Sequence, residues 1–415
     1  MNPTLIHYRT LGAIRPQFFR TYQQNHRLAT LELVASKQIL HACIPSTQEE
    51  DGQPDLGSSS WVASLAIEAI DSRYLLVGSG NGSIQLYDLD ETSGEESSHI
   101  PTNTRSSGCQ VLTPLGDIPN TVGHRYTVAD IHWYPMDTGL FTSSSYDTTV
   151  KVWDTNTLQT ACTFSLDHKV FSHAHSPLGI HSLVAATTSE PLVRLCDLRT
   201  GAFSHTLTGH NSQVICSQWS PRDPHLLCTG GADGTVRLWD VRRAAACLRT
   251  LDQHNQANDD PLAPTHVAHN ASVNGLSFTQ DGYQLVTVGS DRRIRLWDVT
   301  TGKHLLVNYG TKVPCSRLRK YDVVIPPLAD CWPPPVFIPF SKTHEVTGWD
   351  LHSGQSLYRL QGAFRPVVCA AWRNGHEELY AGGYDQEILV WGPESHGNKA
   401  LEEEQALADD WSDTD

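Results

Sequence analysis

Several common sequence features are missing from this chain, and each absence excludes a class of protein. No apolar run approaches the roughly 18 residues that a membrane-spanning helix needs, so we expect no membrane partner. The ten cysteines are scattered and none forms a C-x-x-C pair, which favours a reduced, intracellular compartment. Basic residues are outnumbered, 30 against 45 acidic ones, for a net charge of −15. Because nonspecific binding to nucleic acid requires lysine and arginine opposite the phosphates, we expect no direct nucleic-acid partner.

Motifs for catalysis and for cofactor binding are also missing. The chain has neither a G-x-x-x-x-G-K-[ST] phosphate loop nor a dinucleotide-binding fingerprint. The pairs that most resemble metal-binding motifs, His173-Ala-His175 and His41-Ala-Cys43, lack partners at zinc spacing. The sequence therefore predicts no cofactor and no metal site, and it favours a protein that binds over one that catalyses.

A repeated unit runs through most of the chain. Seven segments end in a Trp-Asp pair or a degenerate version of it: Tyr87-Asp88, Trp153-Asp154, Cys196-Asp197, Trp239-Asp240, Trp297-Asp298, Trp349-Asp350 and Trp391-Gly392. The shorter spacings, 42 and 43 residues, match one four-stranded propeller blade, and the longer ones leave room for an insertion. A β-branched residue precedes every pair by three positions, and apolar and polar residues alternate there as in a strand. The sequence predicts an all-β fold, a seven-bladed WD-repeat β-propeller.

A ring of blades must close, because an open ring leaves an unpaired strand edge. No strand-like segment follows Trp391, whereas the apolar run 28–34 precedes the first blade. We therefore predict that a strand at 28–34 closes a propeller over residues 28–393, whose sixth repeat, around 333–339, is the least regular. Residues 1–27 are predicted to form a short helical segment. Residues 394–415, with eight acids and one lysine, are predicted to be an acidic disordered tail.

Three repeats carry a histidine, a hydroxyl residue, an aspartate and a tryptophan at matching positions. The sets are His124, Ser143, Asp147 and Trp153; His210, Thr229, Asp233 and Trp239; and His269, Thr287, Asp291 and Trp297. One such set could be a catalytic triad, but a triad is needed once, beside an oxyanion hole. Three spaced copies instead predict a structural network whose members satisfy one another's buried polar groups. An esterase-like enzyme that uses one set is the competing hypothesis.

Two surface features are candidate contacts to a partner protein. The fourth repeat ends in WDVR, Trp239–Arg242, and the third ends in the related CDLR, Cys196–Arg199. An arginine just past a strand end can fork onto carboxylate or carbonyl oxygens of a partner, and an ion pair within the repeat is its alternative role. The second feature is an apolar stripe of Leu11, Ile14, Phe18 and Tyr22 with helical spacing. Such a helix either packs on the propeller surface or docks in a groove of a partner.

Two longer stretches contain short sequence motifs that generic repeats of this type do not share. They are His132–Ala161, which includes YPMDTG, and Leu238–Asn255, which includes TLDQHN. Together with Leu306–Gly310 (LVNYG) and the acidic end around Trp411, they resemble the Cockayne syndrome group A family of WD-repeat proteins. The resemblance runs through most of the chain and is strongest from His124 to Leu296.

This resemblance implies a non-catalytic, nuclear substrate-recognition subunit of a type 4 cullin–RING ubiquitin ligase that acts in transcription-coupled nucleotide excision repair. RNA polymerase and repair factors would be its substrates, and the large subunit of the damaged-DNA-binding complex would be its adaptor. In the family, a helical N-terminal segment and blade-end W-D-x-R motifs bind that adaptor. The matching residues here are Leu11, Ile14, Phe18, Tyr22, Trp239, Asp240, Arg242 and Arg199, although Cys196 replaces the tryptophan of the motif beside Arg199. A ligase-independent scaffold or a histone-binding propeller is the alternative use of the same fold.

Overall fold

The computed structural model describes residues 37–40, 61–90, 109–110, 112–243, 247–255, 266–310, 320–327, 330, 334–340, 344–385 and 387–392. These residues form seven sheets arranged as a ring, which confirms the predicted seven-bladed, all-β propeller. The segments predicted at 1–27, 28–34 and 394–415 lie outside the described residues. The described part of the chain contains no helix that is long and apolar enough to cross a membrane.

The first five blades have four strands each, in chain order from the central channel outwards. Blade one consists of β2 (Val62–Ile67), β3 (Tyr74–Ser79), β4 (Ile84–Asp88) and β6 (Gly116–Ile118). Blade two consists of β7 (Val128–Trp133), β8 (Leu140–Ser145), β9 (Thr149–Asp154) and β10 (Thr160–Ser165). Blade three consists of β11 (Val170–His175), β12 (Leu183–Thr188), β13 (Leu192–Asp197) and β14 (Ala202–Thr208). Blade four consists of β15 (Val214–Trp219), β16 (Leu226–Gly231), β17 (Val236–Asp240) and β18 (Cys247–Thr250), and blade five of β19 (Val273–Phe278), β20 (Gln284–Gly289), β21 (Ile294–Asp298) and β22 (Lys303–His304).

Blade six departs from this pattern. Its sheet has three strands, β23 (Pro335–Phe340), β24 (Glu345–Asp350) and β25 (Ser356–Leu360). The innermost place is taken by the segment around Val324, whose backbone exchanges two hydrogen bonds of 2.9 Å with Phe337. The sixth repeat, expected to be the least regular, thus keeps blade geometry with a shortened inner strand.

Blade seven joins the two ends of the described chain. It consists of β26 (Val367–Arg373), β27 (Glu378–Gly383), β28 (Glu387–Trp391) and, at its outer edge, β1 (Lys37–Leu40), with β5 (Cys109–Gln110) added parallel to β1. Strand β1 is antiparallel to β28, with Gln38 opposite Leu389. The strand that pairs with the last repeat is therefore Lys37–Leu40 and not the predicted 28–34. The run LATLELV is the more apolar segment, but an edge strand contributes mainly backbone hydrogen bonds, which apolar composition does not report.

The blades pack face to face through a repeated contact at the start of each inner strand. In six blades that strand begins with a buried valine followed by a β-bulge: Val62, Val128, Val170, Val214, Val273 and Val367. Between several neighbouring blades the valine lies against a glycine of the preceding sheet, as Val62 does against Gly382. A Cβ atom added at Gly382 would lie 2.4 Å from Val62 Cγ1, so the smallest residue lets blades seven and one approach closely.

Candidate functional site

The four residues of each predicted network are in contact. In blade two, His124 lies 2.8 Å from Asp147 and 2.7 Å from Ser143 Oγ, and Trp153 donates its indole N–H to the same hydroxyl at 2.8 Å. The equivalent distances in blade four, from His210 to Asp233 and Thr229 and from Trp239 to Thr229, are 3.3, 2.8 and 2.7 Å. In blade five, those from His269 to Asp291 and Thr287 and from Trp297 to Thr287 are 2.9, 2.8 and 2.9 Å.

The burial of these networks argues against the hypothesis that one of them is a catalytic triad. The side chains of Ser143, Thr229 and Thr287 are all 0% exposed, and each hydroxyl is already bonded to both an imidazole and an indole. A nucleophile must touch its substrate, and no substrate can reach an oxygen that the blade encloses. The geometry therefore favours the structural role.

The aspartates of the networks are held in their charged form. Burial acts to raise the pKa of Asp147, but hydrogen bonds from His124 and Thr149 outweigh it and place the pKa well below its ordinary value. The same opposition, with the same outcome, lowers the pKa of Asp233 and of Asp291. Thr149 and Thr235, which bond to both the histidine and the aspartate of their blades, were not singled out in the sequence. In blade five, Arg295 takes this role and donates to Asp291 at 2.8 Å.

Blade three lacks the histidine–hydroxyl–aspartate–tryptophan network. Cys196 occupies the tryptophan position, and Ala186 occupies the hydroxyl position, since it lies opposite Arg194 as Thr229 lies opposite Arg237. His168, half exposed, pairs with Glu190 at 2.8 Å in the place of the histidine–aspartate contact. The two losses belong together, because a buried hydroxyl without the indole N–H would be left short of a partner.

Arg242 forms the ion pair within its own repeat. Its Nε and a terminal nitrogen each donate to one carboxylate oxygen of Asp240 at 2.9 Å, and its backbone N–H donates to Oδ1 at 3.1 Å. These hydrogen bonds lower the pKa of Asp240. The Arg242 side chain nevertheless remains 58% exposed, and the guanidinium keeps N–H donors that Asp240 does not use. Arg242 is thus a rigid donor at the end of blade four.

Arg199, the equivalent predicted contact in blade three, does not form the ion pair that Arg242 forms with Asp240. Arg199 is exposed, and Asp197 accepts hydrogen bonds from Ser182 at 2.6 Å and Thr200 at 3.1 Å in place of an arginine fork. Leu11, Ile14, Phe18 and Tyr22 lie outside the described residues. The structure also contains a fork that the motif search missed.

That fork lies in blade one, where Arg73 donates through Nε to Asp88 at 2.9 Å. Its arginine comes from the preceding hairpin loop, 15 residues earlier, and so escapes a W-D-x-R pattern. Asp88 and Asp240 both end the third strand of their blades, β4 and β17. Since the blades share one orientation in the ring, the two forks lie on the same face.

The central channel opens on this face as a cavity of about 510 Å³, lined by the ends of the inner strands. Deeper in the channel, Lys320 pairs with Asp130 of blade two at 2.5 Å and lies 3.5 Å from Asp322. Lys320 and Asp130 are 190 residues apart, so their meeting depends on the closed ring. Among the described residues, Asp130, His132 and His173 form one group whose ligand atoms could hold a metal ion.

Comparison with known proteins agrees with this architecture. Residues 116–154 match the family model described as WD domain, G-beta repeat, and residues 174–322 match the model of the Nucleolar protein 10-like N-terminal domain. The WD repeat-containing protein ATCSA-1 of Arabidopsis thaliana is 31% identical over an alignment that covers 98% of this chain and 98% of that protein. The chain belongs to the WD-repeat family that includes ATCSA-1.

Two further relatives align with this chain over about half of their length. Radiation-sensitive protein 28 of Saccharomyces cerevisiae is 26% identical over 48% of this chain and 44% of its own. The ribosome biogenesis protein WDR12 homolog of Drosophila mojavensis is 26% identical over 58% of this chain and 52% of its own. These two alignments cover about half of this chain, whereas the alignment with ATCSA-1 covers nearly all of it.

Proposed function

We propose that this WD-repeat protein is the substrate-recognition subunit of a type 4 cullin–RING ubiquitin ligase that acts in the nucleus in transcription-coupled nucleotide excision repair. The observation that carries the proposal is the end-to-end similarity to ATCSA-1, together with the family phrases in blades two and four. A relative named for radiation sensitivity supports a role in the response to DNA damage. The subunit is non-catalytic: it binds the adaptor, the large subunit of the damaged-DNA-binding complex, and presents polymerase-associated substrates to the ligase.

The channel face that carries Arg242 is the proposed adaptor contact. Trp239 is fixed by its bond to Thr229, Asp240 is held by Arg242, and the remaining guanidinium donors are exposed. A donor group that is already ordered loses little side-chain entropy when a partner binds. The N-terminal residues Leu11, Ile14, Phe18 and Tyr22 are the second proposed contact, which the family resemblance implies. Rate enhancement by such a subunit comes from raising the effective concentration of substrate beside the ubiquitin-loaded enzyme.

The adaptor contact is tested with a variant that combines Arg242→Ala with deletion of residues 1–24. We expect it to lose capture of the purified adaptor in a pull-down, because Arg242→Ala removes an exposed fork and the deletion removes the helical contact. We expect Arg242 to be a hot spot of this contact, for which truncation to alanine costs about 2 kcal/mol or more, or roughly thirtyfold in affinity. The near-ultraviolet circular dichroism should stay that of the wild-type protein.

The matched control is Arg194→Ala in blade three. Arg194 is also an ion-paired arginine, 3.1 Å from Asp167, but it lies within a strand and not at the channel face. The Arg194→Ala variant should capture as much adaptor as the wild-type protein does. Undiminished capture by the double variant would overturn the docking assignment. Failure of the wild-type protein to bind the adaptor at all would favour the ligase-independent scaffold.

A further inference from the structure

A polar cluster occupies the inner part of the interface between blades two and three. Asp130 and His132 project from β7 on the face that also carries Thr142 and Ser144 of β8, since Asp130 lies opposite Ser144 and His132 opposite Thr142. His173 of β11 packs against this face and is fully buried. Farther out, the same interface is apolar, with Val150 and Val184 among its buried residues. Buried polar clusters are uncommon in such contacts and call for a specific role.

The ligand atoms of three residues converge in this cluster. One carboxylate oxygen of Asp130 and one ring nitrogen each of His132 and His173 lie within 4.8 Å of one another. Asp130 Oδ1 is 3.2 Å from His132 Nε2. Ligands about 2 Å from a tetrahedral metal ion are about 3.3 Å apart, so this pair already has the required separation. An ion bound to His173 would replace one of the two present contacts of its ring, to Thr142 or to Ser144, and the other contact would then orient the ring.

Neighbouring groups hold the other ends of these ligands. Ser144 Oγ lies 2.9 Å from His173 Nδ1, and Lys320 pairs with the second oxygen of Asp130. Thr142 Oγ1 lies 2.8 Å from His173 Nε2 and also contacts His175, which brings a further imidazole beside the group. Metal sites are built this way, with a second layer of hydrogen bonds that orients the ligands.

Carboxyl groups outnumber the ammonium group beside the site. Lys320 Nζ lies 2.5 Å from Asp130 Oδ2 and 3.5 Å from Asp322 Oδ1.

We propose that Asp130, His132 and His173 form a binding site for a divalent transition metal of the zinc class, which cross-links the inner strands of blades two and three. Two imidazoles and one carboxylate are a ligand set typical of zinc, and they leave a coordination position for water or for a donor from a bound partner. The sequence predicts no metal site because its ligands belong to different blades, and His132 and His173 are 41 positions apart. Ligand spacing along the chain cannot detect a site that forms between repeats.

The test uses the full chain after removal of metal with a chelator. We expect one equivalent of Zn²⁺ to bind in competition with a chromophoric chelator and to raise the melting temperature. His132→Asn should lower the affinity for Zn²⁺ at least about tenfold, because even substitutions outside the ligand layer lower metal affinity by that much. This variant is chosen because the His132 side chain is 40% exposed, so the fold does not depend on it as it does on buried His173.

The matched control is His168→Asn. His168 is 46% exposed and also pairs with a carboxylate, Glu190, but no third ligand is part of that pair in the described residues. Its Zn²⁺ affinity should equal that of the wild-type protein. X-ray absorption of the zinc-loaded protein should show nitrogen and oxygen neighbours without sulfur. No Zn²⁺ binding, equal affinity in both variants, or sulfur in the ligand shell from any of the ten cysteines would each overturn the proposal.

Discussion

At the scale of single residues, the hydroxyl of each network is the group on which the others depend. Thr229 accepts the indole N–H of Trp239 and also bonds to His210, so one oxygen serves two buried groups. Blade three agrees with this dependence, because it lacks both groups: Ala186 stands at the hydroxyl position and Cys196 at the tryptophan position. Periodicity in the sequence identifies these positions because every copy uses the same residue types. It misses Arg295, which donates to Asp291 from a position two residues beyond that of the threonines.

Thr229→Val removes this hydroxyl and keeps the side-chain shape. We expect the free energy of unfolding in urea to fall by about 1–3 kcal/mol for each buried group that is left unpaired, here the Trp239 indole and the His210 ring. Thr187→Val is the control, because the Thr187 hydroxyl donates a single bond of 3.0 Å to the Ser172 carbonyl. The control should lose about 1 kcal/mol. Equal losses in the two variants would contradict the shared role of Thr229.

At the scale of strands, closure of the ring depends on four residues. Strand β1, Lys37–Leu40, covers the edge of β28 and supports β5 on its other side. The sequence pattern predicts that an N-terminal strand is needed, because a closed ring needs a partner for its last strand. The pattern places that strand too early, because it follows apolar composition, whereas β1 pairs with β28 through the backbone, with Lys37 opposite Val390.

Two truncated chains separate the two segments. A chain that starts at residue 35 keeps β1 and should remain monomeric and resistant to limited proteolysis. A chain that starts at residue 41 leaves the β28 edge unpaired, and we expect aggregation in light scattering and cleavage in blade seven. If removal of 37–40 changed neither property, β1 would not be the closing strand.

At the scale of the whole molecule, the channel brings together residues that no local pattern connects. Lys320, from the segment that leads into blade six, pairs with Asp130 of blade two. Burial acts to lower the pKa of Lys320, but Asp130 and Asp322 outweigh it and raise the pKa above its ordinary value. The ammonium group therefore stays charged and compensates a carboxylate that the channel shields from water.

Lys320→Met should lower the stability of the protein, because it removes the cation that compensates Asp130. Removal of one partner leaves Asp130 buried without its cation, for which we expect a loss of about 3–5 kcal/mol in the free energy of unfolding. Lys320→Arg keeps the charge and should recover most of the loss. Urea unfolding of the three proteins at neutral pH measures both effects. A Met variant as stable as the wild-type protein would mean that water or another group compensates Asp130.

The sequence by itself determined the number of blades, the third strand of each and the members of the buried networks, because these are local patterns repeated at a regular spacing. The tertiary structure alone decided that Lys37–Leu40 closes the ring, that Asp240 is the partner of Arg242, and that Asp130 meets both His173 and Lys320. The physical reason is that repetition encodes the contacts within a blade. Contacts between blades and across the channel depend on ring closure, which joins residues at separations that no repeat period predicts.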